Sequence, residues 1–355
     1  MILAFETSCD ETSVALVHNG RVLSNSVSSQ VLLHEEYGGV VPELAAREHL
    51  RNLLPSARKS LEEAGVALNQ VKAVAATQGP GLPSALMAGL KAAQAIAYAL
   101  RIPFVGVNHH EAHLYSPWIS GSPPMADFSV FEPNISLIVS GGHTMLVHVA
   151  AEGRHRLLGS TLDDAAGECF DKVGKLLRLP YPAGPIIDRL AAHGNPNAHQ
   201  FPRPLMSEPN HDFSFSGLKT SVRYHLRDHP ENAESGTVMS DLCASVQAAI
   251  VEVLVTKTIA AASRLRVGCI TASGGVTCNS ALRVSLHKAC QRRRLRLKLA
   301  EKALCTDNAA MIGILAERKI LAGKVEMALD ADIRPNWELE SSIEAERTGW
   351  EEVKE

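Results

Sequence analysis

The feature that most constrains this chain is that its pattern of elements occurs twice. ILAFETSCDETSVALVHNGRVLSNSV, at the start, reads as a strand over 2–6, a polar turn, a strand over 13–17, an Asn19-Gly20 hairpin turn and a returning strand over 21–24. ISLIVSGGHTMLVHVAAEGRHRLLGST repeats that order about 133 residues later, with strands over 135–139 and 145–149 and a turn at Glu152-Gly153. A second unit follows each of these. Strand 71–76, the loop TQGPGLPS, a helix over about 85–100 and strand 104–107 correspond to strand 267–272, the loop SGGVTCNS, a helix over about 279–290 and strand 295–300. Strands alternating with helices imply mixed sheets covered by helices. Two weakly similar α/β halves around a central cleft are the simplest fold with this pattern. Equivalent loops then face each other across the cleft.

That symmetry gives meaning to a histidine cluster. VNHHEAHLYS places His109, His110, Glu111 and His113 within five residues, directly after the strand 104–107. The zinc-peptidase pattern His-Glu-x-x-His is missed by one residue. What remains is His109-x-x-x-His113, whose imidazoles share one face of a helix. Two ligands do not hold a transition metal, so a third must come from elsewhere. The equivalent loop of the other half, after 295–300, carries Asp307, a suitable partner for two imidazoles. His110, about 100° round the helix, reads as a surface residue or one that backs a ligand, and Glu111 as pointing away.

Glycine loops and acids line the same predicted cleft. Ser140-Gly141-Gly142 lies in a turn between strands, where consecutive glycines admit an anion to backbone N–H groups or simply make a turn. Ser273-Gly274-Gly275 follows a strand and precedes a helix, as phosphate-binding loops do. Gly79-Pro80-Gly81 also follows a strand, and no Walker pattern is present. Asn279 has two readings, a helix cap or a ligand contact. Asp10 and Glu11 sit in the first turn. Asp163, Asp164, Glu168 and Asp171 surround one helix start, and Asp188 lies at another, where capping and the helix dipole are the plain reading.

Composition narrows the setting. Seven scattered cysteines without Cys-x-x-Cys argue against a disulfide framework and for a reducing, cytoplasmic compartment. No basic-then-apolar leader is seen, and apolar windows such as 85–100 are interrupted by Lys91 and Gln94, so no membrane span is expected. A net charge of −3 does not advertise nucleic-acid binding. The exception is QRRRLRLK at 291–298, which reads as a solvated helix end running into an edge strand.

The blocks ETSCDET, GGVVPELAAREH, QGPGL, NHHEAH, SGGHTMLV, GECFDKV, FSFSGLKT, SGGVTCNSALR and CTDNAAMIG, in this order over about 1–320, closely resemble the TsaD/Kae1/Qri7 family, in its bacterial TsaD branch. The resemblance implies an actin-like ATPase (ASKHA) fold with duplicated halves. It also implies a transferase that moves threonylcarbamoyl from threonylcarbamoyl-AMP to N6 of the adenosine 3′ of the anticodon, in tRNAs reading ANN codons. It gives His109, His113 and Asp307 as ligands of one divalent ion, Fe(2+) or Zn(2+). It gives Ile138, Val139, Ser140, Gly141, Gly142, Asp171, Gly184, Asp188 and Asn279 as holding the adenylate, and Asp10 as an acid important for activity. Mg-ATP is a further occupant for the same cleft. The implied partners are tRNA with TsaB and TsaE, or a homodimer in the manner of Qri7-type members. Ser84 and Ala183 stand where the family usually has glycine.

The chain divides on this reading into a first half, 1–114, a surface linker, 115–134, a second half, 135–330, and a tail, 331–355, with a helix around 308–322 packing back on the first half. Three rival readings remain: a kinase-like or chaperone-like ATPase on the same fold, a metallopeptidase, and a silent scaffold. The broken His-Glu-x-x-His spacing disfavours the peptidase. Mg-ATP needs oxygen ligands rather than a His-His-Asp set, which disfavours the ATPase.

Overall fold

The computed structural model describes residues 1–229, 236–323 and 329–339. The first half contains β1 (Ile2–Glu6), β2 (Glu11–His18), β3 (Arg21–Ser29), α1 (Val31–Glu35), α2 (Pro42–Ala64), β4 (Ala73–Gly79), α3 (Pro83–Leu100), β5 (Phe104–Asn108) and α4 (His109–Tyr115). Two short strands follow, β6 (Ile119–Ser120) and β7 (Met125–Ala126). The second half contains β8 (Asn134–Val139), β9 (Thr144–Ala151), β10 (Arg154–Ser160), α5 (Ala166–Leu176), α6 (Ala183–Ala191), α7 (Ser216–Asp228), α8 (Gly236–Leu265), β11 (Cys269–Ser273), α9 (Ser280–Arg293), β12 (Arg296–Leu299) and α10 (Ala309–Leu321).

The duplication is visible in the sheets. The first has the order β5-β4-β1-β2-β3-β7-β6 and the second β10-β9-β8-β11-β12. Without β6 and β7, both read third-second-first-fourth-fifth. In each, the first three strands are antiparallel and the last two run parallel to the first. This is the mixed α/β actin-like architecture. Ligands on such sheets collect at the carboxyl ends of the parallel strands, and the loops after β4, β5, β11 and β12 all lie there.

Asn19 and Gly20 both have positive φ, 50° and 74°, as a tight hairpin turn requires. β3 is longer than the 21–24 expected from apolar alternation. Its inward positions are Val22, Ser24 and Ser26, and Ser24 hydrogen-bonds Ser60 of α2 at 2.6 Å. Serines that pair across an interface look solvent-facing in a hydropathy pattern.

One sequence expectation is corrected and another refined. The longest apolar segment is α8, not 85–100. α8 is long and apolar enough to cross a membrane by length and composition, but 67% of its window is buried inside the molecule and it forms the core of the second half. The segment 115–134 keeps to the surface over 120–133, as expected, but its two ends are tied down. Tyr115, Trp118 and Ile119 are buried, and β7 pairs with β3 at the edge of the first sheet. α10 lies on β1 and β2, where a side chain on Gly313 would press against Val17 and Ala4. The acidic 343–355 end lies outside the described residues.

Candidate metal centre between the two halves

β5 delivers the histidine cluster. Asn108 ends the strand and caps α4, its Oδ1 accepting from the Glu111 N–H at 3.0 Å. His109 and His113 then fall on one face, with ring centroids 4.8 Å apart. Asp307 arrives from the loop between β12 and α10. Its Oδ1 lies 3.4 Å from His109 Nε2 and 3.2 Å from His113 Nε2. One ligand atom from each residue can be chosen so that all lie within 4.8 Å of one another. The three residues expected from spacing and symmetry are thus brought together.

Behind His109 stands Glu6, the fully buried last residue of β1. Its Oε2 meets His109 Nδ1 at 3.0 Å and accepts from Thr77 Oγ1 at 2.5 Å, while Oε1 accepts from the Ser8 N–H at 2.5 Å. Ser8 Oγ is 3.3 Å from the same imidazole nitrogen. A carboxylate on the far nitrogen is the usual support of a metal-binding histidine: it fixes the tautomer and raises basicity. Sequence reasoning missed Glu6, although a charge ending the apolar strand ILAFE is a visible anomaly.

The electrostatics match a cation site. Burial alone would lower the His109 pKa, but the Asp307 and Glu6 carboxylates overcome it and raise the pKa well above the usual imidazole value. Asp307, partly buried, is held well below the usual carboxylate range by His109 and His113. His113 is lowered, chiefly by burial. Two close imidazoles, one partly buried carboxylate and a supporting glutamate form a donor set suited to a borderline divalent metal.

His110 is not a surface residue. It is 5% exposed, its ring sits 4.1 Å from that of His143, and neither of its nitrogens has a hydrogen-bond partner. Burial lowers both pKa values, that of His143 to about 4. Glu111 points away from the centre, paired with Lys319 at 2.7 Å.

The glycine loops meet beside α4. Ile138 and Val139 end β8, fully buried. The turn Ser140–Gly142 carries its two glycines exposed, with nothing within 4 Å of an added Cβ on either. Gly274 has φ +92°, and a side chain there would overlap the Val139 carbonyl, so this loop needs glycine to lie on the end of β8. Ser273 Oγ donates to the His113 carbonyl at 2.8 Å, joining the loop to α4.

Glu168 acts on its own helix, accepting from the Ala165 N–H at 3.4 Å at the start of α5, whereas Asp163, Asp171 and Asp188 act between elements. Asp163 accepts from the Phe215 and Ser216 N–H groups at 2.8 and 3.3 Å, and so caps α7 rather than α5. Asp164 pairs with Lys172 at 2.7 Å. Asp171 accepts from the Ala183 N–H at 2.8 Å at the start of α6, where Gly184 is the second residue. Burial raises its pKa. Asp188, in the sixth position of α6, does not cap that helix. It accepts from Ser280 N at 3.0 Å and Ser280 Oγ at 2.8 Å at the start of α9. Asn279 caps α9 through the Leu282 N–H at 2.9 Å and donates to Gln247 at 2.6 Å. Asp10 is 9% exposed and neighbours Glu11, whose pKa burial and then the Asp10 carboxylate raise well above the usual value. Asp10 also bears on Asp171 across the cleft.

A family model described as TsaD, tRNA N6-adenosine threonylcarbamoyltransferase, matches residues 21–314. The chain is 48% identical over 342 residues to the tRNA N6-adenosine threonylcarbamoyltransferase of Geotalea uraniireducens, covering 96% of this chain and 97% of that one. It is 51% identical over 337 residues to the protein of the same description from Prosthecochloris aestuarii, covering 92% and 95%. Among solved structures, HypF of T. kodakarensis superposes with a TM-score of 0.59 at 14% identity, over 92% of this chain and 49% of that one. Component A of the Acidaminococcus fermentans (R)-2-hydroxyglutaryl-CoA dehydratase gives 0.53 at 14% identity, over 90% and 98%. These two likenesses concern the fold alone.

Proposed function

The chain belongs to the tRNA N6-adenosine threonylcarbamoyltransferase family, and from that premise we propose how its own residues carry out the transfer. The N6 amine of the adenosine 3′ of the anticodon, in a tRNA reading ANN codons, attacks the threonylcarbamoyl carbonyl of threonylcarbamoyl-AMP. The N6–C bond forms, the mixed-anhydride C–O bond breaks and AMP leaves. The observation that carries the assignment of the site is the convergence of His109, His113 and Asp307 with Glu6 behind them.

These three residues hold one divalent ion, Fe(2+) or Zn(2+). When bound, the ion supplies Lewis-acid polarisation of donor oxygens and offsets charge on the leaving phosphate. The remaining work belongs to the chain. N–H groups of the turn 140–142 and of the loop after β11 face the adenylate phosphate. Ile138 and Val139 set the position of that turn. Asp171 and Asp188 accept from ribose hydroxyls, with Gly184 and Asn279 fixing the helix starts on which they act. Asp10, beside Glu11, receives the proton that the amine loses on attack. An aromatic amine is a weak nucleophile, so holding both reactants in place supplies much of the acceleration.

Single-turnover transfer from radiolabelled threonylcarbamoyl-AMP to an unmodified ANN-decoding tRNA tests this reading, with metal content assayed in parallel. His109→Ala/His113→Ala is expected to lose metal and label transfer together. Transfer undiminished in the metal-free variant would overturn the metal assignment. ATP hydrolysis without transfer by the loaded wild type would favour the ATPase reading. The assay is run with and without TsaB and TsaE, and full rate in their absence, together with a dimer mass in solution, favours the homodimer assembly. A peptidase reading has no support in the geometry, because Glu111 faces Lys319 rather than the metal ligands.

A further inference from the structure

The last described segment, 329–339, returns to the first half and crosses the carboxyl ends of β4 and β5. Its backbone is gripped at five points. Gln94 Nε2 donates to the Ala331 carbonyl and Gln78 Nε2 to the Asp332 carbonyl, each at 2.7 Å. The Arg334 N–H donates to the Gln78 carbonyl at 2.8 Å, and the Gly81 N–H to the Pro335 carbonyl at 3.1 Å. Asn108 Nδ2 donates to the Trp337 carbonyl at 3.1 Å. A side chain on Gly79 would overlap the Arg334 carbonyl, so the first half is shaped to admit this backbone. The Arg334 guanidinium lies 4.1 Å from the Trp337 ring centroid, and Leu339 is buried in the core shared with α4 and α10.

None of these bonds reaches a metal ligand, but two reach what aims the ligands. α4 has seven residues, too few for a helix to persist without outside support. Its N-cap is Asn108, whose Oδ1 serves the Glu111 N–H while its Nδ2 serves the segment. Gly81 packs against Ser8, which touches His109 Nδ1. The segment therefore holds the start of the metal-bearing helix and the loop that backs its first histidine.

We propose that residues 331–339 are a clasp that positions α4 for the transfer reaction, and that Asn108 is the positioning residue through which it acts. The proposal rests on the assignment of His109, His113 and Asp307 as metal ligands. It differs from general packing because one amide side chain links the segment to the helix cap.

The test uses the full chain and three variants. Asn108→Ser keeps a capping oxygen but is too short to reach Trp337. Asn108→Asp keeps size and cap but sets a carboxylate against the carbonyl. Gln94→Ala removes another bond to the same segment, away from α4. Zinc loss to a chelator, amide exchange of α4 in zinc-free protein, and kcat and KM for threonylcarbamoyl-AMP are measured. Both Asn108 variants should lose zinc on the order of tenfold faster. Their α4 exchange should be faster and their kcat lower, with KM within about twofold of wild type. Gln94→Ala should leave all of these within about twofold. Wild-type zinc loss and α4 exchange in the Asn108 variants would overturn the proposal, and so would an equal effect from Gln94→Ala. Faster α4 exchange in the Asn108 variants, together with zinc loss that His109→Ala leaves unchanged, would keep the clasp and reject the metal assignment beneath it.

Discussion

At the scale of single residues, the site depends on a carboxylate that the sequence conceals. Spacing puts His109 and His113 on one face, and the repeat supplies Asp307. Glu6 is 103 positions from His109 and is joined to it by sheet pairing alone. No local pattern shows that contact, and the same is true of Thr77 and Ser8. For His110 only the surface alternative fails, for a related reason. A helix wheel gives its direction, but not that β8 and the 140–143 turn cover it. Glu6→Gln keeps the shape but withdraws the charge that makes the His109 nitrogen more basic. Metal affinity should fall about 10- to 100-fold, read by competition with a chromophoric chelator, while donor-independent folding is retained. An affinity unchanged by Glu6→Gln would mean that Glu6 only packs. A double substitution with Thr77→Val separates charge from the hydrogen bond that holds the carboxylate in place.

At the scale of elements, the repeated strands and the helices between them were legible from periodicity, and so was the Asn279 cap of α9, but the acidic caps were not. Asp163, Asp171 and Asp188 each read as acids near their own helix starts. Instead Asp163 caps α7 and Asp188 serves α9, while Asp171 in α5 serves α6. A cap formed across 50 or 90 residues uses the same chemistry as a local one, so composition cannot tell them apart. Asp163→Ala removes four hydrogen bonds at the start of α7. It should cost about 1 kcal/mol, within the usual range for a lost cap, measured by urea unfolding. Transfer kinetics should be unaffected, since Asp163 is given no ligand. Gly274→Ala is the opposite case. It forces a side chain at φ +92° against the Val139 carbonyl, so the loop must move away from β8. Donor KM should rise several-fold and stability should fall as well, because Gly274 is buried and the added side chain meets only Val139 backbone. Unchanged KM with lowered stability would remove that loop from the donor site.

At the scale of the molecule, the centre joins the halves: two ligands come from α4, which follows β5 of the first half, and the third from the loop after β12 of the second. Ion binding should therefore stabilise the whole fold, by about 2.7 kcal/mol at a hundred times Kd, and its pH dependence has a definite sign. In the ion-free protein, the His109 pKa is raised above the unfolded value of 6.5 by Asp307 and Glu6 against the opposing effect of burial. That interaction contributes fully below about pH 6.5 and is lost as pH rises through the raised folded value. Asp307 is shifted the other way, so its contribution is present above 3.8 and lost as pH falls through the lowered folded value. A bound ion must displace the His109 proton. Ion-free stability attributable to His109 thus declines with rising pH above 6.5, whereas the increment from saturating zinc grows by up to about 1.4 kcal/mol per pH unit for one displaced proton. Thermal unfolding of zinc-free and zinc-saturated protein between pH 6 and 9, with Asp307→Asn as the reference, reads both trends. A zinc increment that stays flat over this range would show that no proton is displaced, and would place the ion away from His109.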